Sequence, residues 1–270
     1  MNKAVGILGC GWLGEPLARQ LAGAGYRVRG SSTRASKLPG LRAQGIESFQ
    51  LELTPSGFEG EIEAFLLGLD VLVFNIPPGL RRNPGADYVG QVDHLIRSLR
   101  QAELPRLIYV SSTSVYGRFQ GEVDETTLPM PDTESGKQLL EAEARVWEDH
   151  IRRSTLIVRF GGLLGPGRHP AEMLSGRTGL TGGSDPVNLI RLHEALHILR
   201  LALERSDWEG VVNAVHPEHP PKAEFYSREA ERLGLKPPFY QAESPDGRGK
   251  TVMSRYAREL RPVFNKPIFG

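Results

Sequence analysis

The 270-residue chain has a single cysteine, Cys10, so it can close no internal disulfide and offers no thiolate cluster for a metal. It is short of net charge as well: 33 Lys and Arg against 32 Asp and Glu leave +1. That balance excludes the overall basic footprint of a nucleic-acid binder and gives no sequence-wide attraction to an anionic membrane. No apolar run approaches the roughly 18 residues that a spanning helix needs. Lys3 followed by apolar residues is a poor imitation of a signal peptide, because Glu15, Pro16 and Arg19 interrupt the run, and a cytoplasmic location is expected. Internal repeats and low-complexity tracts are lacking too. With 39% hydrophobic and 24% charged residues, the chain has the composition of a soluble globular protein, long enough for one large α/β domain or one domain with a smaller lobe.

What the chain does have is glycine at telling places. "GILGCGWLG" carries Gly9, Gly11 and Gly14 directly behind the apolar run "AVGIL". After it, Leu13, Leu17 and Leu21 recur at helical spacing, with Pro16 suited to a first turn and Gly23 and Gly25 to an end. Strand, G-x-G-x-x-G, helix is the context of a dinucleotide-binding loop. The first glycine permits the tight turn, the second lets backbone approach a pyrophosphate, and the third lets helix and strand pack closely. Gly9, Gly11, Trp12, Leu13 and Gly14 are therefore the expected phosphate cradle, helped by the free amides of a helix N-terminus.

Further apolar strands follow at "YRVRG", "ESFQLEL", "DVLVFNI", "RLIYVSS", "STLIVRF" and "GVVNAV". Helical patterns lie between most of them, at Glu59–Leu67, Ala86–Ala102, Glu134–Arg152 and Leu192–Arg205, with another near Glu224–Leu233. This alternation predicts an α/β protein: a Rossmann-type doubly wound parallel sheet covered by helices on both faces. Glycine- and proline-rich text after Phe160 predicts loops and a small C-terminal lobe. The expected division is 1–165 plus about 186–215 for the dinucleotide-binding domain, and about 166–185 plus 216–270 for a substrate lobe.

The end of the second strand selects among dinucleotides. An NAD site normally offers a carboxylate there for the adenosine ribose. This chain reads "GSSTR", and Ser32, Thr33 and Arg34 suit a 2′-phosphate, so NADP is the expected cofactor and NAD the alternative.

The glycine loop, "YVSSTSVYG" and "VRFGGLLGPGR", in this order and spacing, resemble the extended short-chain dehydrogenases/reductases, the NAD-dependent epimerase/dehydratase family. The resemblance runs nearly the whole chain, through "VNLIRLHEALHILRLALE" and "VVNAVHP" to "GKTVMSRYARELRPVF". It implies that Ser112 polarises a substrate carbonyl or hydroxyl and that Lys137 holds the nicotinamide ribose. It also implies a proline wall beneath the cofactor at Pro77, and a homodimer through the Glu134–Arg152 helix. The family's tyrosine, four residues before the lysine, is missing: Thr133 stands there. An aliphatic hydroxyl is far too weak an acid to replace a phenol. The chain thus resembles the atypical, tyrosine-lacking subgroup. Tyr116, Glu134 and a water held by Thr133 are the candidate proton donors, and Tyr116 joins Ser112 and Lys137 in the expected catalytic set. Three activities stay open: an oxidoreductase or epimerase-like enzyme acting on a small carbonyl or hydroxyl substrate, a non-catalytic NADP-binding redox sensor or regulator, and a nucleotide-sugar epimerase or dehydratase.

Arg81, Arg82 and Arg168 are candidate contacts for an anionic substrate. "HEALH" at 193–197 matches a zinc-protease pattern literally, but Leu192, Leu196 and Leu199 explain it as a packed helix, and no metal site is expected. His216 and His219 are expected to be structural.

Overall fold

The computed structural model describes residues 3–80, 83–149, 154–241 and 249–269. The apolar runs form β1 (Ala4–Leu8), β2 (Arg27–Ser32), β3 (Glu47–Gln50), β4 (Val71–Phe74), β5 (Arg106–Ser112), β6 (Ser154–Phe160) and β7 (Gly210–Ala214). They make one seven-stranded sheet in the order β7-β6-β5-β4-β1-β2-β3. β1 lies parallel to both neighbours, with Val5 opposite Val28 and Val71. Chain order reverses between β1 and β4, the switch point at which doubly wound sheets bind nucleotides. All residues of β1 and β4 are buried, which is why they read as unbroken apolar runs rather than alternating ones.

Helix α1 (Gly14–Gly23) buries Leu17, Ala18 and Leu21. Burying each leucine contributes roughly 1.5–3 kcal/mol, so Leu17→Ala should cost about 2–5 kcal/mol. The helix stops where the Ala24 amide returns to the Gln20 carbonyl and Gly25 turns left-handed at φ +87°. Between β2 and β3 the structure has a helix that the sequence pattern did not announce: a 3-10 turn, Ala35–Lys37, leads into α2 (Leu38–Ala43). Its six residues bury only Leu41, too few to establish a period, although Pro39 suits its first turn. "ESFQLEL" is not one strand. β3 ends at Gln50, and Glu52–Thr54 pairs antiparallel with Gly57–Glu59. Gly60, at φ +100°, then turns under the Gln50 carbonyl, which its Cβ would approach to 2.3 Å, so α3 (Ile62–Leu66) starts later than expected.

Helix α4 (Tyr88–Gln101) is capped by the Asp87 carboxylate, which accepts from the Gly90 amide at 2.8 Å, and it buries Tyr88, Val92, Leu95, Ile96 and Leu99 on one face. α5 (Glu134–Glu148) follows β5, and the end of the longer helix expected there lies outside the described residues.

The chain divides into two compact units. The first comprises Met1–Ser111, Lys137–Val158 and Leu199–Val211; the second comprises Ser112–Gly136, Arg159–Ile198 and Val212–Gly270. The lobe expected at 166–185 and 216–270 falls in the second unit, which also takes in 112–136, 159–165, 186–198 and 212–215. That unit contains α6 (Pro170–Leu174), the start of α7 (Leu192–Glu204), α8 (Lys222–Arg232) and α9 (Ala257–Leu260). Its short strands pair in parallel, Gly162–Leu164 with Leu189–Arg191 and Glu122–Val123 with Thr251–Val252. Leu164, Val187, Leu189, Phe225 and Ile268 form an apolar cluster within it. Among the described residues no helix is long and apolar enough to cross a membrane.

Candidate nucleotide-binding site

The glycine loop joins β1 to α1 in the first unit, and its three glycines are required for different reasons. Gly9 has φ +104°, and a Cβ there would lie 2.8 Å from the Asn75 carbonyl oxygen. At Gly14 a Cβ would meet the Gly9 carbonyl oxygen at 2.2 Å. These two are demanded by the turn and by packing. Gly11 differs: its Cβ would meet nothing within 4 Å. The protein leaves space there that its own packing does not use, at the position where the backbone of such a loop approaches a pyrophosphate. The loop is held from three sides. The Gly9 amide donates to Ser31 Oγ at 2.9 Å, the Cys10 amide to the Ser31 carbonyl at 2.7 Å, and Asn75 Nδ2 to the Gly9 carbonyl at 3.1 Å. α1 opens at Leu13 with no side-chain hydrogen bond capping it among the described residues. Leu13 is buried and Trp12 half-buried. These residues fit a dinucleotide phosphate.

Cys10 lies beneath the loop, buried, and a Cβ on Gly30 would come within 2.7 Å of its sulfur. Burial first, and the nearby Glu15 carboxylate second, push its thiol up to about 12.

Glu15 puts a negative charge in the first turn of α1, where a phosphate would feel it. Lys37 answers that charge: its ammonium lies 2.6 Å from Glu15 Oε2 and donates to the Cys10 carbonyl at 3.2 Å. Sequence reasoning missed Lys37, which stands 22 positions from its partner. The one signal available was an acid immediately after the third glycine, which calls for a cation. Asn75 was missed as well, since nothing in the spacing of "FNIPPG" marks its amide.

At the carboxyl end of β2, Ser32 is buried, and its hydroxyl accepts from the Arg34 amide at 3.2 Å. Thr33 and Arg34 are exposed, and among the described residues nothing pairs with the Arg34 guanidinium. Thr33 borders a groove of about 600 Å3 lined also by Phe49, Gln50 and the carboxylates of Glu47, Glu52, Glu59 and Glu61. Pro77 is exposed in the loop after β4.

The remaining expected residues fall in both units. In the second, Ser112 ends β5 half-buried, and its hydroxyl accepts from the Ser114 amide at 3.2 Å. Tyr116 is fully buried; its hydroxyl donates to the Asp124 carbonyl at 2.8 Å, lies 3.2 Å from Asn213 Oδ1 and accepts from Arg159 Nη1 at 2.8 Å. The Arg159 guanidinium also covers the ring at 5.1 Å. Burial raises the phenol's pKa even against Arg159. Its hydroxyl is thus enclosed by Asp124, Asn213 and Arg159, and its acidity is weakened by burial. Thr133 has a local occupation too: its hydroxyl accepts from the Gly136 amide at 3.1 Å, capping α5. Gly136 is pinned, since a Cβ would lie 2.3 Å from the Ser114 carbonyl oxygen. In the first unit, Lys137 follows in the first turn of α5, exposed, its ammonium unpaired among the described residues.

Arg168 is exposed in a turn whose backbone bridges to Gly165. Arg81 and Arg82 lie outside the described residues. In "HEALH", Glu194 is buried and accepts from the Arg191 amide at 2.8 Å, whereas His193 and His197 are exposed. Among the described residues no group of three or more His, Cys, Asp or Glu side chains is placed to hold a metal ion. His216 is buried, with Nε2 2.9 Å from the Lys266 carbonyl.

Residues 9–187 match a family model described as NAD(P)H-binding. The chain belongs to that family. It is also 37% identical to Protein YeeZ of Escherichia coli (strain K12), over 98% of this chain and 97% of that one. A functionally unknown conserved protein from Silicibacter pomeroyi DSS has a similar structure, with TM-score 0.72 and 24% identity, covering 96% of this chain and 93% of that one. The UDP-glucuronic acid 4-epimerase from Bacillus cereus, solved in complex with NAD, superimposes with TM-score 0.77 at 17% identity, covering 99% and 92%. At these identities the structural likeness is one of fold, a Rossmann-type sheet, and the family match makes it an NAD(P)-binding one.

Proposed function

We propose that the protein is an NADP-dependent member of the atypical extended dehydrogenase/reductase group, acting on a small carbonyl or hydroxyl substrate. The observation that carries this reading is the open space at Gly11, just before a helix start with no side-chain cap, together with the Arg34 guanidinium at the end of β2, with which nothing pairs among the described residues. The amides of the loop and of the first turn of α1 would hold the pyrophosphate, and Lys37 would offset Glu15 beside it. Arg34, with Thr33 and Ser32, would take the 2′-phosphate. Lys137, exposed and with no partner among the described residues, would hold the nicotinamide ribose. Bound there, the cofactor supplies or accepts a hydride.

Ser112 would orient the substrate. Its oxygen already accepts from the Ser114 amide, so its own proton is left to donate to a substrate oxygen. Thr133 is occupied as a cap, and the substrate's proton has to come from elsewhere. The Bacillus cereus neighbour is named as an epimerase of a nucleotide sugar, and that class stands behind the simpler reductase here.

Two observations support competing readings. The carboxylates lining the groove beside Thr33 would accept ribose hydroxyls, which favours NAD. The Tyr116 hydroxyl is enclosed and Thr133 is occupied as a cap, which favours a regulator that binds NADP without turning it over. Titration of wild type and Arg34→Ala with NADPH and NADH by nicotinamide fluorescence decides the first point. The variant should lose about tenfold or more in NADPH affinity and keep NADH affinity; equal losses refute the 2′-phosphate role. NADPH oxidation across a panel of aldehydes and ketones decides the second.

A further inference from the structure

A separate cluster in the second unit has more positive charge than its own carboxylate can use. Asp185 is buried and saturated. Its Oδ1 accepts from the Gly249 amide at 2.8 Å, and its Oδ2 accepts from Arg118 Nη2 at 3.0 Å and from Lys222 Nζ at 2.9 Å. The arrangement is built tightly. A Cβ on Gly182 would lie 2.5 Å from Arg118 Nη2 and 2.6 Å from Asp185 Oδ2, and one on Gly249 would lie 2.8 Å from Asp185 Cγ. Arg118 and Lys222 remain part-exposed around this buried anion, at 44% and 34% of their side-chain surface.

Lys250 is bound into the same cluster through backbone, its amide donating to the Arg118 carbonyl at 2.6 Å. Asn188 Nδ2 fixes it from the other side, donating to the Lys250 carbonyl at 2.9 Å. The half-buried Lys250 ammonium donates to the Tyr116 carbonyl, a neutral partner, and among the described residues no carboxylate pairs with it. Asp132 is the acid whose field reaches it, and Asp132 is exposed and already accepts the Arg118 amide at 2.9 Å. Burial, opposed by Asp132 and reinforced by Lys222, pulls the ammonium down to about 8. Arg118 and Lys222 thus share one saturated carboxylate, and Lys250, within the field of Lys222, sits partly out of water with no carboxylate paired to it among the described residues. Concentrating like charge in that way costs stability unless an anion completes it.

We propose that Arg118, Lys222 and Lys250 form a receptor for the phosphoryl dianion of a small phosphorylated molecule. Arg118 and Lys222 each keep N–H donors beyond those given to Asp185, and Lys250 keeps two beyond Tyr116. Among the described residues the three cations face Asp185 and the exposed Asp132, which leaves a net positive charge, and their several free N–H donors suit the oxygens of a phosphoryl group better than the two of a monocarboxylate. The receptor stands independently of the cofactor reading, because all its groups belong to the second unit.

The test uses the full-length protein, inorganic phosphate as probe, and acetylation of individual lysines followed by peptide mass spectrometry. Phosphate should slow acetylation of Lys250 severalfold and leave Lys236 unchanged, while sodium chloride at equal ionic strength should not protect. Unprotected Lys250, or equal protection by chloride, overturns the receptor. Equal protection by acetate overturns its preference for a dianion. Calorimetry should show Lys250→Gln losing about tenfold in phosphate affinity, with Lys250→Arg retaining most of it; wild-type affinity in Lys250→Gln overturns the proposal. Arg34→Ala should keep the phosphate protection while losing NADPH, so failure of the cofactor reading and failure of the receptor are read separately.

Discussion

Alanine at Gly11 and alanine at Gly14 separate what the glycine loop does for the fold from what it does for a ligand. Gly11 is not left-handed, and its Cβ would meet nothing within 4 Å, so Gly11→Ala should fold without strain. Restricting the unfolded chain adds about 0.4–1 kcal/mol, which should hold the melting temperature or raise it by about 2–4 °C. The new methyl would nevertheless occupy the space toward which a pyrophosphate must come. Each charge-assisted hydrogen bond lost there is worth about 1.5–3 kcal/mol, so losing even one should weaken NADPH at least about tenfold. Gly14→Ala behaves oppositely. Its Cβ would stand 2.2 Å from the Gly9 carbonyl oxygen and 3.1 Å from Asn75 Nδ2, and the loop must shift before any ligand arrives. Such overpacking costs about 1–3 kcal/mol or more, so the melting temperature should fall. Thermal unfolding and fluorescence titration of the same preparations suffice. A Gly11→Ala protein that binds NADPH as tightly as wild type would remove the loop from the cofactor's path. One that melts several degrees early would show that Gly11 serves packing after all.

Thr133→Ala should lower stability by about 0.5–2 kcal/mol through loss of the α5 cap, and Thr133→Ser should restore it; a variant as stable as wild type in denaturant refutes the cap. Lys37→Met should weaken NADPH binding by leaving the Glu15 charge unanswered, while a part-buried surface pair of this kind changes stability by about 0–1 kcal/mol; adding Glu15→Gln should return the affinity, and failure to do so would mean that Lys37 acts otherwise. Burial would raise the Asp185 carboxyl, but the Lys222 and Arg118 hydrogen bonds outweigh it and hold the group below its ordinary value. Its stabilisation is therefore complete above about pH 4 and is lost as pH falls through the lower folded value. Asp185→Asn should be less stable at neutral pH and should flatten that acid limb in pH-dependent denaturant melts; an unchanged limb refutes the assignment.

The sheet was legible because strands buried on both faces must be apolar throughout, as "VLVF" is, and no other element type demands that over so few residues. The glycine loop was legible because Gly9 and Gly14 answer steric requirements that no other residue meets. α2 was not, since a six-residue helix with one buried leucine leaves no period to detect. The break at Leu51 was hidden for a related reason: "ESFQLEL" alternates well, and only the pairing of Glu52–Thr54 with Gly57–Glu59 tells two strands from one. Within the candidate site the losses follow sequence distance. Lys37 and Glu15, Asn75 and Gly9, and the groups closing over the Tyr116 hydroxyl meet only after folding, so nearness to Ser112 in the sequence made Tyr116 a candidate donor with no sign of the Asp124, Asn213 and Arg159 groups around its hydroxyl.

The position of Cys10 gives the molecule a built-in clock. Its sulfur is sealed between Ile7, Gly30 and the loop above, and a thiol with a pKa near 12 is almost wholly protonated at neutral pH. An alkylating reagent captures it only in local openings of the structure that bring water to the sulfur. Since this is the only thiol in the chain, total modification of the unlabelled protein counts those openings directly. Any ligand that settles on the loop slows the count in proportion to its occupancy, and does so whether or not it is ever turned over.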